Sequence, residues 1–204
     1  MFATLSQGNQ KLGSVVSVSL PPIITCGKKL PCFKDCYGHH QYKQYPNVRL
    51  AYDRNLRRWK ANPDRYFGSI IWQIKKRNVE MFRWHVAGDI PAKSYIDGII
   101  RVGLAVPDCR FLLFTKRYDW VAGIRFPKNV SVILSVWPGL PLPKSTRPRA
   151  FLQNGLEKRA QGALSCPGGC ETCGRCWVLP KIKRDVVFPL HAGWIASLKA
   201  RKAS

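Results

Sequence analysis

Acidic side chains are scarce in this chain: 11 Asp and Glu stand against 34 Lys and Arg, a formal net charge of +23 over 204 residues. No two acids are spaced for hydrolysis, so chemistry built on paired carboxylates is disfavoured. Long apolar runs are also missing, and nothing approaches the length of a membrane span. The N-terminal MFATLSQGNQKLG has no basic patch followed by an apolar core and no small-residue cleavage site. A cytoplasmic protein with no membrane partner is the expectation. A phosphate loop, a dinucleotide glycine fingerprint and a Gly-x-Ser-x-Gly elbow are absent as well, which argues against common hydrolases and dehydrogenases.

What is abundant is positive charge, spread along the chain instead of gathered in a tail. A surface of this kind releases counterions on meeting phosphates, so nucleic acid is the expected partner. The plainer alternative is a soluble basic protein, or one balanced by an acidic protein. Aromatics interleave with the charge in YDRNLRRWK, yet Leu56 and Trp59 fall at helical spacing and read as core contacts. With 46% hydrophobic residues the chain can bury one sizeable core.

Periodicity gives an order of elements. VVSVSL (15–20) reads as a strand ended by Pro21 and Pro22. Helices are predicted over 48–60 and, with Asn62 as cap and Pro63 in the first turn, on to about 78. FRWHVAGD (82–89) reads as a strand whose alternation puts Arg83 and His85 on one face and Trp84 and Val86 on the other. A helix over 94–106, the strand CRFLLFT, a short helix or turn in KRYDWVAG, and the strand VSVILSV (130–136) follow. This grammar predicts an α/β fold, either a partial (β/α) barrel or an open, mostly parallel sheet, since a full eight-fold barrel typically needs about 250 residues. The chain reads as a single domain, 1–204, with an N-terminal tail (1–13), an α/β body (14–136), a Pro-rich loop (137–165), a four-Cys knuckle (166–177), and a last strand with a basic C-terminal helix or tail (178–204).

Seven of the 8 cysteines fall in two tight groups. In a reducing compartment such groups point to metal before disulfides. Cys109, alone beside an apolar strand, reads as a buried small hydrophobe. Cys26, Cys32 and Cys36 form a loop after the first strand, too few to close a four-ligand site, and three thiolates on a 4Fe-4S cluster leave one iron open. Cys166, Cys170, Cys173 and Cys176 supply four thiolates from one Gly-rich knuckle. Their close spacing favours an auxiliary 4Fe-4S cluster, with structural zinc as the alternative. A third arrangement pools one knuckle cysteine into the first cluster. In a parallel sheet the reactive end is where strands deliver their C-terminal loops. There the first strand delivers the three-cysteine loop, the second Gly88 and Asp89, the third Thr115, Lys116 and Arg117, and the fourth Ser135 and Trp137. Asp89 also reads as a turn or cap, and Lys116 and Arg117 as holders of a carboxylate or phosphate. An inward His85 is a candidate proton donor, a structural histidine its alternative. His39 and His40 are not taken as ligands.

The layout of a three-cysteine loop after the first parallel strand resembles the radical S-adenosylmethionine superfamily. The spacing here is CysX5CysX3Cys, where that superfamily commonly has CysX3CysX2Cys. The blocks KLGSVVSVSLPPIITC, FRWHVAGDIP, FLLFTKRYD, NVSVILSVWPG, CxxxCxxCxxCW and VVFPLH are similar, in that order, to the bacteriophage gene product 88 family. The resemblance implies a radical-SAM-like iron-sulfur protein, in host cytoplasm if phage-encoded. Cys26, Cys32 and Cys36 would hold a cluster, Gly88, Asp89, Thr115 and Ser135 would seat S-adenosylmethionine, and His85, Lys116 and Arg117 would be catalytic candidates. The family name carries no reaction. The contrasting expectation is a non-enzymatic nucleic-acid-binding protein with two structural metal sites.

Overall fold

Strands rich in Val, Ile, Leu and Phe on both faces belong in a sheet covered on both sides, and among the described residues strands of this kind are joined by shorter ones into a seven-stranded sheet. They are β1 (Val16–Val18), β2 (Met81–Trp84), β3 (Arg110–Thr115), β4 (Val130–Ser135), β5 (Arg149–Leu152), β6 (Leu164–Ser165) and β7 (Val186–Phe188). A computed structural model describes residues 2–27, 30–153, 156–160 and 162–189. In it the strand order is β1-β2-β3-β4-β5-β7-β6 and every pairing is parallel. The fold is therefore α/β with an open parallel sheet, the second of the two expected forms.

Among the described residues the α-helices are α1 (Pro22–Cys26), α2 (Tyr37–Gln44), α3 (Pro46–Ala61), α4 (Pro63–Lys76), α5 (Ser94–Ala105), α6 (Tyr118–Val121), α7 (Cys170–Cys173) and α8 (Leu179–Ile182). The local signals explain the longer ones. Asn62 caps α4, its side chain accepting from the Arg65 amide at 2.8 Å, with Pro63 just inside. Helices α3, α4 and α5 bury Leu56, Trp59, Tyr66, Phe67, Ile70, Tyr95 and Ile99 against the sheet. Gly98 permits the close approach of α5 to α4, since a Cβ there would stand 2.0 Å from the Phe67 ring. Phe82, Trp84, Phe111, Leu113 and Val132 point into this helix-side core, and Cys109 joins it, fully buried. The alternate residues Leu112 and Ile133 point to the other face, where they meet Leu12, Val15, Trp177, Leu179 and Val186.

Two expectations are corrected. The stretch read as an N-terminal tail is part of the fold: Ala3 is buried and its amide donates to Ser69 Oγ at 2.8 Å, Ser6 pairs antiparallel with Ser17 along the free edge of β1, and Leu12 lies in the second core. The stretch read as a Pro-rich loop over 137–165 contains β5, β6 and a 3-10 turn at Leu156–Arg159. Both strands are too short to register as a period, and their hydrogen-bonding partners lie far off in sequence. The expected C-terminal helix or tail from His191 onward lies outside the described residues. Among the described residues no helix is long and apolar enough to cross a membrane.

The crossover from α5 through β3 to β4 is held by Asn129, whose Nδ2 donates to the carbonyls of Gly103, Val106 and Cys109 at 3.0, 3.0 and 2.9 Å. Asn129→Leu is expected to lower the free energy of unfolding by about 1–3 kcal/mol, because these carbonyls lose their donor; urea denaturation reads the loss.

Candidate functional site

Because every pairing is parallel, the C-terminal ends of the first four strands, which are consecutive neighbours, lie along one edge. Past β1, Pro21 and Pro22 turn the chain into α1, a single turn that ends on Cys26 and is closed by Gly27 at φ 89°. A 3-10 turn, Phe33–Asp35, has Cys32 and Cys36 as its two caps, and the Cys36 carbonyl accepts from the His39 and His40 amides to start α2. The spacing of the three thiols follows from these short turns.

Asp89 ties the edge together. Its Oδ1 accepts from Thr115 Oγ1 at 2.7 Å and from the Ile90 amide at 2.8 Å, while Oδ2 accepts from the Lys116 amide at 2.8 Å. The Asp89 amide donates to Thr25 Oγ1 at 3.1 Å, and that hydroxyl donates to the Pro21 carbonyl at 3.0 Å. Asp89 thus joins the ends of β1, β2 and β3, its amide reaching the β1 side and its carboxylate the β3 side. Gly88 makes room for it: its φ is 84°, and a Cβ would stand 2.6 Å from the Leu20 carbonyl oxygen and 2.8 Å from Thr25 Oγ1. Arg117 donates to the carbonyls of Thr25 and Cys26, so its charge covers the C-terminal end of α1. The fourth strand joins through Tyr118, whose hydroxyl donates to the Ser135 carbonyl.

Cys32 is buried and Cys26 partly so. Burial is the main force pushing the Cys26 thiol up to about 12, with the Asp89 carboxylate adding to it and Lys116 opposing. Burial also raises Cys32, again with Lys116 opposing. The Lys116 ammonium sits 5.5 Å from the centre of the Trp137 ring. A Cβ on Gly139 would stand 3.3 Å from Pro31, so the loop after β4 lies against the cysteine loop. Sulfur donors, one ammonium and one indole therefore border the same mouth.

The second cysteine group lies on the sheet face opposite the helices. Cys166 follows β6, its amide donating to the Val187 carbonyl at 2.8 Å. Cys170 and Cys173 begin and end α7, Gly174 at φ 58° turns the chain, and Cys176 sits in the next 3-10 turn. Trp177 anchors the segment, its indole Nε1 donating to the Phe82 carbonyl at 3.3 Å and its carbonyl accepting from Ser131 Oγ. The Cys170 amide donates to the Lys11 carbonyl at 2.8 Å, and Glu171 binds Ser14. Between the two groups stand Tyr37, whose hydroxyl donates to the Val86 carbonyl, and Arg83. Tyr37 feels the charges of Arg83, Cys36 and Cys170.

The edge therefore gathers Cys26, Cys32, Cys36, Gly88, Asp89, Thr115, Lys116, Arg117 and Ser135. His85 stands apart. Its φ of 51° breaks the alternation and turns the ring into the helix-side core, with Nε2 3.3 Å from the Tyr95 hydroxyl. Burial lowers its pKa to about 3 and keeps it neutral. Thr25, Tyr37, Arg83 and Tyr118 were not singled out from sequence. Arg83 alone carried a usable signal, a cation between two aromatics inside an apolar strand.

The donor chemistry of both groups suits thiophilic metals. Among the described residues no three His, Cys, Asp or Glu side chains come close enough to hold a single metal ion. Two substitutions test the clamp. Asp89→Ala is expected to cost about 2–3 kcal/mol, since it strands donors that now meet a buried carboxylate. Gly88→Ala is expected to cost about 1–3 kcal/mol from the positive φ alone, with the clash in addition. Chemical denaturation of each variant gives the numbers, and a loss under about 0.5 kcal/mol for either would remove the clamp from the account.

A family model described as Gene product 88 matches residues 3–137. The match runs from Ala3, which packs on α4, to Trp137 and stops short of the second cysteine group. No curated protein and no solved structure matches the chain.

Proposed function

The chain belongs to the gene product 88 family, and from that premise we propose that it is an iron-sulfur protein of the radical-SAM-like kind, acting on a nucleic acid or another anionic substrate. The observation that carries this reading is the convergence of four successive parallel strand ends on a loop of three partly or fully buried cysteines, joined through Asp89. Cys26, Cys32 and Cys36 are the residues that would hold a 4Fe-4S cluster with one iron free of protein ligands. When bound, such a cluster supplies an electron to S-adenosylmethionine.

The protein's own part is positioning and exclusion of water. Gly88 lets the backbone after β2 approach the turn after β1, and Asp89 holds Thr115 and Lys116 in register beside it. The chain around Gly88 and Ser135 would seat the cofactor's amino acid end. Lys116, beside Trp137, would hold an anionic group of the substrate. Arg117, committed to the α1 carbonyls, fixes where the cysteine loop begins. The second cysteine group would hold an auxiliary 4Fe-4S cluster or zinc.

A second reading has support of its own. Arg49, Arg54, Arg57 and Lys60 are all exposed along α3. A row of cations of this kind favours nucleic acid as the partner and would serve equally in a non-enzymatic binding protein whose two cysteine groups are structural.

Anaerobic purification separates the two. About eight irons per chain are expected if both groups carry cubanes. A component of the reduced protein's paramagnetic resonance should shift on adding S-adenosylmethionine, and that component should vanish in the Cys26→Ala, Cys32→Ala, Cys36→Ala variant. Zinc without iron, or a spectrum indifferent to S-adenosylmethionine, leaves the binding protein. Under either reading, affinity for single-stranded nucleic acid should fall with salt, with a log-log slope of about −0.7 per phosphate contacted.

A further inference from the structure

The outward side of α4 carries an aromatic pair that the fold does not use. Phe2 and Trp72 are 54% and 48% exposed, and neither ring belongs to the two cores. The rings stack with centroids 5.0 Å apart and planes 29° from parallel, and Lys76 Nζ stands 4.6 Å from the centre of the Trp72 ring. The stack is not what fastens the N-terminal segment. Arg58 donates to the Phe2 carbonyl, the Ala3 amide donates to Ser69 Oγ at 2.8 Å, Gln73 donates to the Ala3 carbonyl at 2.9 Å, and the Thr4 amide donates to Asn55 Oδ1 at 2.8 Å. Bonds from α3 and α4 to the backbone thus hold Phe2 in place, and its ring is presented pre-organised. Gly68, one turn before Trp72, has open space where a Cβ would stand. A glycine inside a helix is costly, and unlike Gly98 this one makes room for no neighbour in the fold; it leaves the ground beside the rings clear. Arg65, Lys75 and Lys76 are exposed around them. The one acid of the helix, Asp64, is paired with Arg101. Because α4 leads into β2, the pair lies toward the starts of the strands, away from the edge that carries the cysteine loop.

We propose that Phe2 and Trp72 form a stacking platform for a base of single-stranded nucleic acid, with the flanking cations of α4 holding its phosphates. Every base has a π-face, so exposed rings with cations alongside bind single strands without reading sequence. A duplex keeps its bases stacked on one another and offers the rings nothing. Charge complementarity selects this partner: the chain carries +23, and the only acid on α4 is already engaged. Arg65 precedes Trp72 by two turns, about 10 Å along the helix, while Lys75 and Lys76 border the ring at the other end. A strand crossing the rings therefore meets cations on both sides. A lipid surface fits less well, because two rings set among a glycine and three cations leave little apolar area to bury. The inference rests on nucleic acid being the partner, which both functional readings share, and adds a contact region separate from the cysteine loop.

Fluorescence anisotropy of a labelled oligothymidylate of about 20 nucleotides, titrated with the full chain at several salt concentrations, reads the contact. Trp72→Ala is expected to weaken binding about 5- to 150-fold, the worth of one stacked base, and to leave the salt slope unchanged because no phosphate contact is lost. Phe2→Ala should act in the same direction, and Trp72→Phe should keep most of the affinity. Lys76→Gln should instead lower the slope by about 0.7. Gly68→Glu leaves both rings in place and sets a carboxylate beside them, so it should weaken binding more than Gly68→Gln does. Melting temperatures are recorded for every variant. Full affinity in Trp72→Ala overturns the platform while nucleic acid stands as the partner; a lowered melting temperature with that full affinity makes the pair an anchor for the N-terminal segment. An equal loss on a duplex of the same length overturns base stacking. If Trp72→Ala does not fold, the Gly68 pair decides, since equal affinities there overturn the proposal. Loss of binding to phosphatidylserine vesicles in Trp72→Ala, with oligothymidylate affinity kept, overturns it in favour of a lipid surface. No binding of oligothymidylate by the parent overturns the nucleic-acid reading, and this inference with it.

Discussion

A parallel sheet sends every strand end to the same side, and the candidate site depends on that constraint. Separate segments of sequence, from the cysteine loop to Trp137, become neighbours because β1, β2, β3 and β4 run the same way and pair in order. Parallel pairing alone only brings backbones near one another. Asp89 then makes three of these ends one unit, its amide donating to Thr25 on the β1 side and its carboxylate accepting from Thr115 and Lys116 on the β3 side. Burial, with that carboxylate's charge adding to it, pushes the Cys26 thiol up and holds it in its neutral form. A ligand that needs thiolates must therefore bring positive charge of its own.

Scarcity of acids gives the few that are present defined tasks. Asp89 fastens strand ends, Glu171 fastens the second cysteine segment to Ser14, and Asp185 forks Arg149 at 3.2 and 2.9 Å where β5 meets β7. The surplus of cations divides into two populations. Those along α3 face water and suit a polyanion. Arg117 and Arg83 are half-buried, one donating to the carbonyls that end α1 and the other packed on the Phe114 ring.

Much of the body was legible from local signals. The Asn62-Pro63 start, the helix over 94–105 and the apolar runs at 110–115 and 130–135 each encode their conformation within a few residues, through capping and periodicity. Strand polarity was legible too, because strands alternating with helices leave a parallel sheet as the natural solution. The cysteine spacing and the convergence of Gly88, Asp89, Thr115, Lys116 and Arg117 followed from that polarity.

What only the tertiary structure decided lies where a residue's state is set by distant partners. β5 and β6 exist because β4 and β7 offer hydrogen bonds to segments with little periodicity of their own. Residues 2–13 fold in because Ser69, Gln73 and Ser17 take up their backbone groups. His85 leaves its strand pattern through one positive φ, an angle that no alternation rule predicts. By itself the sequence determined the elements, their order and the presence of two sulfur-rich segments, because those are written in short-range pattern. The closeness of the two segments, with Tyr37 and Arg83 between them, was decided by packing across the sheet, because it depends on contacts between residues far apart in the chain.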